Sequence, residues 1–154
     1  MQFINYFFAS VISFSGLVTG LMLVKIAPEE QKPLEKYLIL ARKTILFMIF
    51  VFIMFYYFDS RFYILTLIVY FAFLLFVEYK TNDMLKKSML VYSVLGILFF
   101  LSSRNTNLFA IVSSLILLYG LPTASLMYKR KENNNKIIFY NIVFILIANM
   151  LFFI

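Results

Sequence analysis

The chain contains no cysteine and no histidine. Without thiols it can form no disulfide. Without thiolate or imidazole the common zinc and haem ligand sets cannot be assembled. A serine nucleophile would have no histidine as its base, which leaves only a Ser–Lys pair. Acids are scarce. Glu29, Glu30, Glu35, Asp59, Glu78, Asp83 and Glu132 are the full set, and each stands in a connector or at the end of an apolar stretch. Proton- and ion-coupled carriers need an ionisable group at depth, and metallo and aspartyl enzymes need ligands or paired acids. The expectation is therefore a protein that is not an enzyme, with no metal and no cofactor. Tryptophan is also missing, so tyrosine must supply the aromatic anchors at a membrane interface. Tyr6, Tyr37, Tyr56, Tyr57, Tyr63, Tyr79, Tyr128 and Tyr140 all fall near the ends of apolar segments.

What remains is apolar. Of 154 residues 64% are hydrophobic and only 14% are charged, with a mean hydropathy of +0.94. Soluble domains are about half apolar and about a quarter charged, so a soluble fold of this length could not hide this surface. The composition predicts a chain solvated by lipid. It also redirects the reading of the +7 net charge, from nucleic-acid binding to membrane topology.

Charged connectors divide the sequence into six apolar segments, at 3–24, 37–58, 62–79, 88–102, 107–128 and 137–154. They are continuously apolar rather than alternating, which argues for helices over barrel strands. The first begins with no basic residue and is long enough to span. It therefore reads as a membrane helix rather than a cleavable signal. The predicted fold is an all-α integral membrane bundle of six helices, built of three hairpins, as a single transmembrane domain over 1–154. The basic residues set its orientation. Lys25, Lys32, Lys36, Arg42 and Lys43 belong to the first connector, Lys80, Lys86 and Lys87 to the third, and Lys129, Arg130, Lys131 and Lys136 to the fifth. Only Arg61 and Arg104 belong to the second and fourth. The positive-inside rule then places the odd connectors in the cytoplasm and both termini outside, in a multi-pass protein of the cell membrane. Arg42 and Lys43 lie inside the second segment. Either they snorkel to the headgroups, or 34–43 is an interfacial helix ahead of a short span.

Two stretches resemble one another. "GLVTGLMLVK" (Gly16–Lys25) and "GLPTASLMYK" (Gly120–Lys129) share Gly, Leu, Thr and Lys in register, with a small residue at the fifth place. Helices 1–2 and 5–6 are thus candidates for an internal repeat. In lipid, helices associate through close backbone approach and hydrogen bonds, not through apolar burial. Ala9, Ser13, Gly16 and Gly20 recur at helical spacing on one face. Ser113, Gly120 and Ala124 make a similar face in helix 5, where Pro122 is expected to introduce a kink. Helices 2 and 3 are bulky nearly all round. Helices 1 and 5 are expected to pack centrally, and helices 2 and 3 to face lipid.

Polar residues at depth are few. Thr19, Thr123 and Asn141 each lie five or six residues from a boundary lysine, which puts them at one level, roughly 8–9 Å inside the cytoplasmic face. Asn5 and Asn149 share a level near the outer face. They are either two polar layers along a pathway or interhelical hydrogen bonds. "IAPEEQKPLEKY" reads as a stiff hairpin turn or a docking site for a partner. "KRKENNNK" reads as a topology determinant with affinity for anionic headgroups. From Gly16 to about Tyr37 the chain resembles small uncharacterised polytopic membrane proteins of archaea, which carry a similar Ala-Pro-Glu-Glu…Lys-Pro…Lys-Tyr segment after a glycine-containing helix. The resemblance implies an archaeal source and brings no known activity with it. The expected function is that of a membrane scaffold or accessory subunit acting through helix packing, with a membrane-protein partner or a homo-oligomer and no nucleic acid. The rival is a small uncoupled transporter or channel lined by the threonine and asparagine layers.

Overall fold

A computed structural model describes residues 2–57, 61–81, 83–129 and 133–153. Asp59, Arg130, Lys131, Glu132 and Ile154, used in the sequence reading, lie outside the described residues. The chain is all-helical, with no strand among the described residues. The helices are α1 (Phe3–Ile26), α2 (Gln31–Tyr56), α3 (Arg61–Lys80), α4 (Met84–Ser102), α5 (Thr106–Lys129), α6 (Asn134–Asn141) and α7 (Val143–Phe152). A single 3-10 turn at Pro28–Glu30 leads into α2. Counting α6 and α7 as one, five helices are long and apolar enough to cross a membrane, and α3 contributes the shorter apolar stretch Ile68–Val77.

The connectors carry their own start signals. Asp83 Oδ1 accepts from the Leu85 amide at 3.0 Å and opens α4. Asn105 Oδ1 accepts from Asn107 and Leu108 at the start of α5, and Asn133 Oδ1 accepts from Asn135 at the start of α6. Each side chain satisfies an amide that the first helical turn leaves unpaired. The asparagines of the last connector thus include a helix cap.

The spans do not pair as successive hairpins. α1 packs most extensively on α5, and α2 packs on the other flank of α5 rather than on α1. α4 packs mainly on α6 and α7 and also touches α5, while α3 packs loosely on α2 and α4. Two of the closest pairs, α1 with α5 and α4 with α7, are parallel and far apart in sequence. The reason lies in which faces are small. Close packing of apolar helices depends on how closely their backbones can approach, and a bulky face next in sequence cannot compete with a glycine face a hundred residues away.

Two further expectations change. The sixth segment is one span in sequence but breaks at Ile142, immediately after Asn141. Gln31–Tyr56 is one continuous helix, with no separate interfacial piece at 34–43. Its Arg42 is level with the start of α4, because Arg42 Nη1 meets Met84 Sδ at 3.7 Å. Near its other end the Tyr57 hydroxyl donates to the Leu101 carbonyl at 2.7 Å. The stretch from Arg42 to Tyr57 therefore spans the same levels as α4. The eleven residues before Arg42 extend the helix about 16 Å beyond the level of Met84.

Candidate functional site

The glycine faces meet each other. A Cβ built on Gly16 would overlap the Leu117 carbonyl, and one on Gly120 would overlap the backbone of Gly16 and Leu17. A Cβ on Gly20 would lie 2.8 Å from Ala124 Cβ and 2.9 Å from Leu121 Cα and O. Each stretch of the repeat is therefore the other's partner, parallel and in register, with Gly16 against Gly120 and Gly20 against Ala124. Backbone sits on backbone, and no side chain of any size fits between. Ser13 is buried on the same helix, Ala9 is half-buried, and Ser113 is half-buried with its hydroxyl returned to the Phe109 carbonyl at 2.6 Å.

A second close approach joins α4 to α7. A Cβ on Gly96 would lie 3.0 Å from the Phe144 carbonyl and 3.2 Å from Ile147 Cβ. The sequence reading gave helix 4 no part in the core. Half of its span is nevertheless buried, against 17% for α2. A signal was available: Ser88, Tyr92, Gly96, Phe99 and Ser102 recur at steps of four and three, and all are buried.

The level of Thr19, Thr123 and Asn141 does not assemble as proposed for a pathway. Thr123 and Asn141 are fully buried, but Thr19 is exposed and its hydroxyl donates to the Gly16 carbonyl at 3.0 Å. Thr123 donates to the Tyr119 carbonyl of its own helix at 2.8 Å. Asn141 Nδ2 donates to the Ile137 carbonyl at 2.7 Å, and its Oδ1 accepts from Ser88 Oγ at 2.6 Å. That last bond ties α6 to α4, and it stands where the sixth span breaks. The outer layer also separates. Asn5 is exposed, whereas Asn149 Nδ2 donates to Ile145 O and to Ser10 Oγ, which links α7 to α1.

The tyrosines divide in an unexpected way. Tyr6 is no interfacial anchor. It is fully buried, donates to the Ala148 carbonyl at 2.9 Å and packs on Phe99, Phe109 and Phe152. Tyr92 and Tyr119 are buried near the middle of their helices with ring centroids 5.6 Å apart. The hydroxyls of Tyr70 and Tyr92 find no hydrogen-bond partner among the described residues. Among those residues no group of three or more acidic, cysteine or histidine side chains is placed to hold a metal ion.

No protein-family model matches this chain, and searches of curated proteins and of solved structures return no match.

Proposed function

We propose that this chain is a non-catalytic multi-pass protein of the cell membrane that serves as a scaffold or accessory subunit through helix packing. One observation carries the reading. The deep polar side chains Asn141, Thr123, Asn149 and Tyr6 direct hydrogen bonds to their own or neighbouring helices, and the glycine faces close backbone on backbone. Groups arranged this way hold a bundle together. A transport pathway through Thr19, Thr123 and Asn141 has less support, because Thr19 lies outside the bundle. Co-purification in mild detergent and a flux assay in liposomes test the choice. A stoichiometric membrane partner is expected. A flux carried by the purified protein, and lost in a fully folded Asn141→Leu variant, would overturn the reading.

In this proposal the odd connectors face the cytoplasm and both termini lie outside. Twelve of the fourteen basic residues belong to odd connectors or their flanks, and the Arg42–Met84 contact joins the ends of two of them at one end of the bundle. Glu30→Cys and Asn134→Cys should resist an impermeant thiol reagent in intact cells, while Ser60→Cys and Thr106→Cys should label. The opposite pattern would reverse the orientation.

A further inference from the structure

The loose packing of α3 leaves a cleft of about 340 Å³ between α2, α3 and α4. Its composition is ordered along the helices. Lys43 stands at one end, next to Arg42, whose contact with Met84 marks the level at which α4 begins. The walls beyond it are Leu46 and Phe47 of α2, Leu74 and Leu75 of α3, and Val91 of α4. About 10 Å from Lys43 along α2, Phe50 stacks at 4.7 Å on Phe71, which also lines the cleft. Among the described residues that line the cleft, Lys43 alone is charged. A space with a cation at headgroup level and apolar walls above it has the layout of an amphiphile. It is too small for a partner helix, which is about 10–12 Å across with its side chains.

We propose that this cleft is a specific site for an anionic phospholipid, with Lys43 on the phosphate and an acyl chain along Leu46, Leu75 and Val91 up to the Phe50–Phe71 pair. The proposal rests on membrane residence and not on the scaffold role. A partner found or missed in co-purification leaves it untouched. Lysine suits this task because its ammonium is a mobile point charge on an apolar stem that follows the wall of the cleft.

The test uses the full chain in mild detergent, titrated with dioleoyl phosphatidylglycerol, dioleoyl phosphatidylcholine or glycerol 3-phosphate. Native mass spectrometry reads bound lipid, and a thermal midpoint reads stabilisation. The wild type should bind phosphatidylglycerol about fivefold more tightly than phosphatidylcholine, the contribution of one basic side chain near an anionic headgroup. Lys43→Gln should remove most of that preference, and Lys25→Gln, an exposed change at the end of α1, should leave it. Leu75→Trp, which fills the cleft from a half-exposed position, should weaken both lipids, and glycerol 3-phosphate should neither bind nor stabilise. Equal binding of the two lipids by the wild type would overturn the site whatever the variants do. So would equal losses in Lys25→Gln and Lys43→Gln, which would mean diffuse attraction to the basic end of the bundle. Unchanged lipid binding in Leu75→Trp would place the chain elsewhere.

Discussion

Gly16–Lys25 and Gly120–Lys129 share a pattern and meet different surroundings. Thr19 and Thr123 occupy the same place in that pattern, and both hydroxyls donate to a carbonyl of their own helix. One is exposed and the other fully buried. The difference is not local. α5 is enclosed by α1, α2 and α4, whereas α1 packs on α5 and, far less extensively, on α7 and α6. Equivalent residues in similar helices thus acquire different weights from the neighbours their helix collects. The glycines at the crossing escape this rule, because there each stretch is the other's surroundings.

The largest effects should come from that crossing. Gly16→Leu and Gly120→Leu each force a side chain into backbone, and each should destabilise by more than about 3 kcal/mol, enough to deplete the folded fraction. Because both act at one contact, the double variant should cost clearly less than the two separate losses combined. Reversible unfolding in mixed micelles measures this, and strict additivity would mean the two glycines do not share a crossing. Gly20→Leu should follow by a few kcal/mol. Next, Thr123→Leu should cost about 1–3 kcal/mol by overpacking an enclosed site, and Thr19→Leu close to nothing. Equal costs in the same unfolding assay would erase the asymmetry drawn between the two stretches. Asn141→Leu breaks the tie to Ser88 and should cost about 0.6–1.7 kcal/mol, the range for interhelical hydrogen bonds in lipid. A double-mutant cycle with Ser88→Ala isolates that bond, and zero coupling would discard it. Smallest of all, Phe55→Leu on the outer surface of α2, where the ring is 79% exposed, should stay within about 0.5 kcal/mol. Phe50, which stacks on Phe71, would not serve as such a control.

The helix count and the small faces of α1 and α5 were legible because each has one dominant cause. An unbroken apolar run in a chain with so few charges has little alternative to a span, and two glycines four apart amid phenylalanines invite close packing. The partner choice of α4 was harder to read. Gly96 stands alone, without a second glycine to make a motif, and its serines look like ordinary tolerated hydroxyls until Asn141 is placed opposite Ser88. Thr19 misled for the converse reason. Level along a helix can be counted from a boundary lysine, but the azimuth that decides exposure depends on which helices arrive beside it. Tyr6 failed in the same way: nearness to a segment end suggested an interfacial anchor, while the carbonyl of Ala148, 142 residues away, gave the hydroxyl a partner indoors.

The in-register meeting of Gly16 with Gly120 also sets an order of events in biosynthesis. The first helix leaves the ribosome with its binding face complete, but the face that matches it is encoded about a hundred residues later, some 5–20 s at ordinary elongation rates. During that interval the glycine stripe is a surface awaiting its mate. Nascent chains arrested before Thr106 should therefore be degraded faster than chains arrested after Ala124 has emerged, a difference that pulse-chase of stalled chains measures.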